Sequence, residues 1–554
     1  MIDSVEQWGT KVSYAVAVGL IRPCRTVAVV SRSGLLALAL AGVSFAGDAK
    51  VGSDVQGHVA AEHRQAVKAP VPVSGNNQAY ADERWWAPSD GRPFAAALTF
   101  PNEQGAVTTL NSAGITETGA HAFFTPLGSN GRACVTCHQP ADAMSISAAT
   151  VQRRWQATGG KDPLFAAVDG SNCPNLPQDD RASHSLLLER GLFRVFRPWP
   201  PKAANGSTLE PEFTIEVVRD PTGCNTNPEY GLHGKVPMVS VYRRPRPVTN
   251  VKFLTAMGFA IEPKNGLPLQ LDPETGVPTS GNLMADARDL TLKTQAIEAA
   301  MTHLQAASKP APEAIAQILE FERQLHTAQS HDRWGSSLTD AGASGGPGAL
   351  AVANAGYLQS GGEPIWSEFA SWKQLPAGAD PRAEEQRNFR ESVARGAKVF
   401  AQKTFLIWDS AGITNMGFGN PVRNSCSFCH NMTHTGMDVA PGQVDLGTTN
   451  EPFAKPAADL PLFKLTCRPE SKPHPHLGRV VYTQDPGFAL TTGRCRDIGK
   501  ITMQQMRGLS ARAPYFVNGS AQTLREIIDF YDQRYNIRYS EQEKQDLTNL
   551  LSVL

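Results

Sequence analysis

Cys134, Cys137 and His138 stand in the pentapeptide Cys-Val-Thr-Cys-His, and Cys426, Cys429 and His430 in Cys-Ser-Phe-Cys-His. Two thiols separated by two residues and followed at once by an imidazole suit one chemistry: the thiols add across the vinyl groups of a haem, and the histidine supplies the proximal iron ligand. Rival uses of a Cys-x-x-Cys pair fit less well. A zinc ribbon places its second pair about 15–20 residues after the first, whereas these motifs start at 134 and 426. A thioredoxin-like pair needs no trailing histidine and occurs once. The expectation is two covalently bound c-type haems, with His138 and His430 as metal ligands.

The other cysteines agree with chemistry outside the cytoplasm. Of nine, four belong to the two motifs and Cys24 falls in an N-terminal export signal, which leaves Cys173, Cys224, Cys467 and Cys495. Two disulfides are the natural outcome in an oxidising compartment. Neighbourhood in the sequence favours Cys173 with Cys224 and Cys467 with Cys495, one of the three pairings open to four cysteines. In the signal, Arg22, Arg25 and Arg32 precede an apolar run from Gly34 to Val43, and Ser44-Phe45-Ala46 offers a cleavage site. The run is shorter than the ~20 residues of a membrane-spanning helix; an uncleaved anchor is the alternative reading. The mature chain is expected in the periplasm, with no transmembrane segment.

With 554 residues and 41% apolar content, the chain can bury sizeable cores and is expected to form two domains. Its 52 basic and 52 acidic residues cancel, which argues against a nucleic-acid binder or a strongly basic membrane-surface protein. The 40 prolines and 48 glycines imply many loops.

The predicted fold is mainly α: two cytochrome c-like haem domains with long loops and a small β insertion in the first. Residues 1–46 form the signal and 47–90 a loosely structured leader. The N-terminal haem domain spans 91–333, a linker 334–383, and the C-terminal haem domain 384–554. In the first domain, strands are predicted at Phe213 to Val218 and Met238 to Tyr242. Helices follow over Leu290 to Leu304, with Leu290, Ile297, Met301 and Leu304 on one face, and from Pro312 through Leu325. Between Gly335 and Gly348 the glycines cannot hold a helix and place the boundary there. In the second domain a helix is predicted near Glu384 to Phe400. Thr523 and Ser540 then head two terminal helices, with Glu526 and Glu543 at the capping-box position.

Several stretches carry a family resemblance. Phe123-Phe124-Thr125-Pro126-Leu127-Gly128-Ser129-Asn130-Gly131-Arg132 leads into the first motif, and Asp485-Pro486-Gly487, Asp497-Ile498-Gly499-Lys500 and Arg512-Ala513-Pro514-Tyr515-Phe516-Val517-Asn518-Gly519-Ser520 follow the second. Together they resemble the bacterial diheme cytochrome c peroxidase superfamily, which includes enzymes that mature a tryptophan-derived quinone and the rubber oxygenases. The resemblance implies a reactive haem on His138 that meets peroxide or oxygen, and a relay haem on His430. It implies electrons from a small redox donor protein, such as a monohaem cytochrome c or a cupredoxin. Calcium lies between the haem domains of relatives, but no acidic loop identifies such a site here.

The same resemblance supplies candidate catalytic residues and exposes departures. Leu283-Met284-Ala285-Asp286-Ala287-Arg288 looks like the family's Trp-Asp-Gly-Arg element, so Asp286 and Arg288 are candidates and Ala285 stands where an aromatic sits between the haems. Downstream, Thr294 replaces an acid ahead of Gln295-Ala296. A distal carboxylate shuttles the proton that makes peroxide's distal oxygen a better leaving group; Asp289, Glu298 or His303 could replace it, and Gln295 and His303 join the candidates. The first site has no histidine between His138 and His184, and His184 is expected to pack in a loop. Val517 stands where many relatives carry histidine, which leaves Met503 or Met506 as the favoured relay ligand, with Tyr515, Met437 and His434 as alternatives. His474 and His476 are expected on the surface. Three functions remain open: a peroxide-using diheme oxidoreductase, favoured; a pure electron-transfer cytochrome; and an oxygenase of the rubber-cleaving kind.

Overall fold

Residue 97 begins an alternation of exposed and sheltered side chains that makes the strand Ala97–Asn102, and a turn at Glu103 and Gln104 returns it as Gly105–Asn111. The inner edge of this hairpin is covered by a strand from far along the chain, Leu325–His331, tied to it by a Thr109–Thr327 hydroxyl contact of 2.8 Å. A second three-stranded sheet orders Val480–Thr483, Leu462–Cys467 and Phe213–Arg219, all antiparallel. Three two-stranded ladders complete the strands: Phe193–Pro198 with Met238–Arg243, Phe405–Ile407 with Val422–Asn424, and Gln443–Val444 with Ile501–Thr502. These features belong to a computed structural model that describes residues 84–203, 206–256, 280–353, 366–432, 435–436 and 442–554. The predicted signal and most of the predicted leader lie outside those residues.

The longer helices form where the periodicity placed them. Leu292–Thr302 is headed by Thr291, whose hydroxyl accepts from the Thr294 amide. Pro312–Gln324 starts on a proline, which suits a first helical position. Pro381–Gln402 is capped by Asp380, and Leu524–Tyr535 and Glu541–Ser552 by Thr523 and Ser540. Only Ser540 closes a reciprocal capping box with Glu543; Glu526 turns its carboxylate to the Gln522 amide instead. The face expected of Leu292–Thr302 is corrected: Leu290 and Met301 are exposed, and Ala296, Ala300 and the following Leu304 are buried.

The expectation of a mainly α chain of two cytochrome c-like domains is overturned. Among the described residues helix accounts for 31% and strand for 17%, with the strands dispersed over five small sheets. The β insertion is likewise not a local unit. Phe213–Arg219 pairs with Leu462–Cys467 from the other half of the chain, and Met238–Arg243 pairs with Phe193–Pro198. The physical reason is separation. Each strand is short, and its partner lies up to about 250 residues away, so no local pattern announces the pairing. Helices carry their hydrogen bonds within one segment and declare themselves locally.

Three cores follow. The largest packs Trp372, Val393, Leu550 and Val553 behind the second motif. Another packs Phe94, Phe123, Phe124, Met144 and Phe321 behind the first, with Cys134 against it. A third fills the shared sheet with Phe213, Phe463, Leu465 and Val481 and includes Cys467 and Cys495. Disulfides join Cys173 to Cys224 and Cys467 to Cys495, the pairing favoured from the sequence. Among the described residues no helix is long and apolar enough to cross a membrane.

Phe463 is fully buried where strands from both halves meet. Phe463→Ala should destabilise the protein by about 3–5 kcal/mol. In denaturant titration both the near-ultraviolet signal of the buried aromatics and the far-ultraviolet signal should move to lower midpoints. An unchanged midpoint would remove this sheet from the stability-determining core.

Candidate functional site

The two Cys-x-x-Cys-His motifs are built by one local device. In the first, Cys134–Cys137 is a single helical turn, and the His138 amide closes it onto the Cys134 carbonyl at 3.1 Å. In the second, the His430 amide does the same to Cys426 at 3.0 Å. The chain then bends back through two consecutive left-handed residues, Ala143 (φ 56°) and Met144 (φ 57°) in one motif, Thr435 (φ 69°) and Gly436 (φ 86°) in the other. In each loop the sixth residue after the histidine donates its amide to the first: Met144 to Gln139 at 3.0 Å, Gly436 to Asn431 at 2.8 Å. Its carbonyl then faces the imidazole. His138 Nδ1 meets Met144 O at 3.1 Å, and His430 Nδ1 meets Gly436 O at 2.8 Å.

That contact decides the tautomer. A carbonyl only accepts, so Nδ1 carries the proton and the Nε2 lone pair is left free, the form in which histidine ligates a metal. Burial lowers the His138 pKa to about 4 and lowers that of His430 as well, so both rings stay neutral at ordinary pH. Left-handed backbone costs roughly 1–2 kcal/mol for each non-glycine residue, a strain accepted here at Ala143, Met144 and Thr435. Gly436 is needed for room too: a Cβ there would sit 2.9 Å from Met506 Sδ.

Cys134, Cys137, Cys426 and Cys429 remain free thiols while the other four described cysteines are paired. Burial raises their pKa values, to about 12 for Cys137 and Cys429 and about 11 for Cys426. At neutral pH these thiols are protonated in the chain as it stands. Among the described residues no three His, Cys, Asp or Glu side chains gather as a zinc or calcium ion would need.

Each motif opens on its own cavity. The first is walled by Cys134, Cys137, His138, Gln295, Arg288 and His303 among others. The second has two lobes that share His430, Met503, Met506 and Tyr531, with Cys426 and Cys429 in the more apolar one. Organic cofactor sites are mostly apolar with a few polar groups, and so are these linings.

A haem also brings two carboxylates, and the walls supply a counterpart. Arg244 and Arg246 line the first cavity and Arg512 the second. Arg244 and Arg512 are buried and Arg246 is half-buried, and among the described residues none has a carboxylate within ion-pair distance. Arg244 bonds the carbonyls of Ile146 (2.6 Å) and Arg512 (2.8 Å), and Arg246 those of Met503 (2.8 Å) and Thr502. Arg512 bonds the Gln505 carbonyl. Burial lowers Arg244 and Arg246 to about 9 and Arg512 to about 10, so all stay cationic at neutral pH. Unpaired buried charge costs several kcal/mol, and an anionic cofactor relieves it. Thiols, neutral imidazoles, cavity shape and unpaired cations therefore all fit the group that the motifs imply.

The candidate catalytic residues divide. His303 lines the first cavity at the end of helix Leu292–Thr302, with Gln295 two turns earlier on the same wall. His303 Nδ1 lies 2.5 Å from Asp169 Oδ2, and Asp169 is ion-paired with buried Arg132. The His303 carbonyl accepts from Asn130 Nδ2 at 2.8 Å. Burial would raise the Asp169 pKa, but Arg132 and His303 hold it below its ordinary value. The result is an oriented imidazole whose Nε2 is not used by this network. Arg288 also lines the cavity. Asp286 stands behind the wall, bonded to Arg243 Nη1 and Arg288 Nη1 at 2.7 Å each. Burial opposes its charge, yet these guanidiniums keep it ionised far below the usual range.

Other sequence-level candidates are placed elsewhere. Thr294 is exposed and caps its helix, and Asp289 pairs with Glu298 away from the cavity, its pKa raised by burial and by that carboxylate. His184 is buried with both nitrogens on carbonyls, Gly170 O at 2.7 Å and Gln178 O at 3.0 Å. Met503 and Met506 both reach the second cavity. Tyr515 and Val517 line its lobe away from Cys426 and Cys429, and the Tyr515 hydroxyl donates to Leu509 O at 3.0 Å. His434 and Met437 lie outside the described residues. His474, expected on the surface, is buried: Nδ1 accepts the amides of His476 and Leu477, and Nε2 faces Asp445 at 3.4 Å.

Sequence reasoning missed Asp169, the Arg243-Arg244-Arg246 cluster and Glu322. The cluster had a signal, three arginines within four residues ending a strand; Asp169 and Glu322 had none. No protein-family model matches the chain, and no curated protein or solved structure matches it either.

Glu322 is buried on the first cavity wall, and burial raises its pKa to about 8. The unfolded chain ionises near 4.5, so between these values the folded state holds a proton that the unfolded state has lost, and stability falls as pH rises. Glu322→Gln should match the wild type near pH 4. By pH 7 it should exceed it, by on the order of 1.4 kcal/mol per pH unit crossed. Denaturation midpoints measured across pH check this, and a wild-type advantage at pH 7 would contradict it.

Proposed function

We propose that the chain is a periplasmic diheme c-type oxidoreductase of the cytochrome c peroxidase kind. It uses hydrogen peroxide at the first site and takes electrons at the second from a small redox donor protein, a monohaem cytochrome c or a cupredoxin. The observation that carries this reading is the shared loop geometry: two Cys-x-x-Cys-His motifs, each with its imidazole turned by the same carbonyl contact toward its own cavity. The two disulfides support an oxidising compartment.

In this reading Cys134, Cys137, Cys426 and Cys429 attach the haems, His138 and His430 ligate iron through Nε2, and Arg244 and Arg512 receive carboxylates, while the Arg246 fork stays on the Met503 and Thr502 carbonyls. Haem iron supplies one-electron chemistry and, with an open position, a site for peroxide. Reduction of one peroxide to two waters takes two electrons and two protons. His303 Nε2 accepts the proton of the bound peroxide oxygen and returns it to the departing one, while Asp169 stabilises the imidazolium between those events. Gln295, on the same wall, offers an amide to orient peroxide. At the second site Met503 or Met506 supplies a sulfur ligand. Exposed Phe418 lies edge-on to Phe428 of the second motif at 6.3 Å and offers the donor protein an apolar contact there.

His303 also favours the second reading, electron transfer alone. An oriented imidazole on the cavity wall is equally suited to be a sixth iron ligand, which would close the first site.

Low-temperature electron paramagnetic resonance separates the two. High-spin ferric haem at the first site that reacts with peroxide supports the oxidoreductase; two low-spin haems unchanged by peroxide, even after partial reduction, leave an electron carrier. Mass spectrometry should find two attached haems in the wild type and one each in Cys137→Ala and Cys429→Ala; none in the wild type would end the diheme reading. His303→Gln should slow the peroxide reaction by about 10²–10⁴-fold with both haems retained. Conversion of that variant from low to high spin would instead identify His303 as a ligand.

A further inference from the structure

Arg246 stands in the partition between the two cavities. It lines the first, and its fork reaches across: Nη1 donates to Met503 O at 2.8 Å and Nη2 to Thr502 O. Thr502 and Met503 line the second cavity. Thr502 ties the partition back, its amide donating to Ala285 O at 3.0 Å and its hydroxyl to Met284 O at 2.6 Å. Met284 and Ala285 are walls of the first cavity. Four hydrogen bonds thus join the two sites, two of them made by a guanidinium whose buried Nε has no hydrogen-bond partner among the described residues.

A cation in such a place acts at a distance. Arg246 is half-buried and on the wall of the first cavity, where a charge is screened less than at the open surface. Its neighbours do not cancel it: Arg243 and Arg288 share Asp286, Arg243 also holds Asp485, and Arg512 is itself unpaired. Reduction of an iron centre makes it one unit less positive, so a nearby fixed positive charge favours the reduced form.

We propose that Arg246 is a positioning residue shared by both sites, whose single charge raises the reduction potentials of both haems together. This rests on the diheme reading above.

The experiment is a spectroelectrochemical titration of the haem-loaded protein, with haem counted beforehand; a wild type without haem fails the diheme reading itself, separately from this inference. Arg246→Gln should lower both midpoint potentials with both haems still attached. Arg246→Lys, which keeps charge but loses the fork, should lower both less. Arg468→Gln, which removes an exposed cation paired with Glu210, should move neither. Should the glutamine variant not fold, Ala285→Asp leaves Arg246 in place and gives it a counter-charge, and again both potentials should fall. A shift confined to one haem, no shift at all, or a lysine variant as low as the glutamine one would overturn the proposal.

Discussion

Everything at the candidate site depends on one hydrogen bond made twice, from a motif histidine's Nδ1 to a backbone carbonyl in the loop that follows it. Without it the imidazole has two interchangeable tautomers and a free torsion; with it, one nitrogen is committed and the other is available. The contact requires a reversal of the chain through two left-handed residues, a conformation that ordinary residues resist. Ala143, Met144 and Thr435 adopt it because the surrounding structure leaves no alternative. The Met144 side chain is in the phenylalanine core behind the first motif, and the Met506 amide is pinned to Thr435 O at 2.8 Å.

A second constraint is the disposition of buried charge. Arg243 is fully satisfied: Asp485 takes Nε and Nη2, and Asp286 takes Nη1. Asp286 in turn holds Arg288, whose Nε reaches Glu298. This network crosses the chain from the Met238–Arg243 strand to the Asp485 loop and fixes the rear of the first cavity. Arg244, Arg246 and Arg512 lie beside it with only carbonyls for company. Paired and unpaired guanidiniums side by side give the cavities a net positive wall, whose desolvation cost is offset only by an anion.

The three departures from the resembling family acquire different physical meanings. Thr294 is exposed and caps a helix, so the change at that position removes nothing from the cavity wall. Ala285 does line the wall, and its carbonyl is bound to Thr502 in the partition. Val517 lines the lobe of the second cavity away from Cys426 and Cys429, where it can fill space but cannot bind a metal, and Met503 and Met506 bring thioether sulfurs to His430's cavity. Sequence position alone ranked these changes equally; their effects differ because one side chain faces solvent and two face cavities.

The sequence by itself determined what is local. The Cys-x-x-Cys-His motifs, the helices that begin at Pro312 and Ser540, and the two disulfides between neighbouring cysteines were all legible, because each rests on residues within one turn or one stretch of chain. His303 and Gln295, named as candidates through the family resemblance, both line the first cavity. Only the tertiary structure decided the rest. Asp169, which orients His303, lies 134 residues from it. The Phe213–Arg219 strand finds its partner in the second half of the chain, and so the expected pair of helical domains gives way to a shared sheet. Strand pairing and ion pairing satisfy their bonds across space, between segments whose own composition says nothing of the partner, whereas a helix or a capped turn satisfies them within itself.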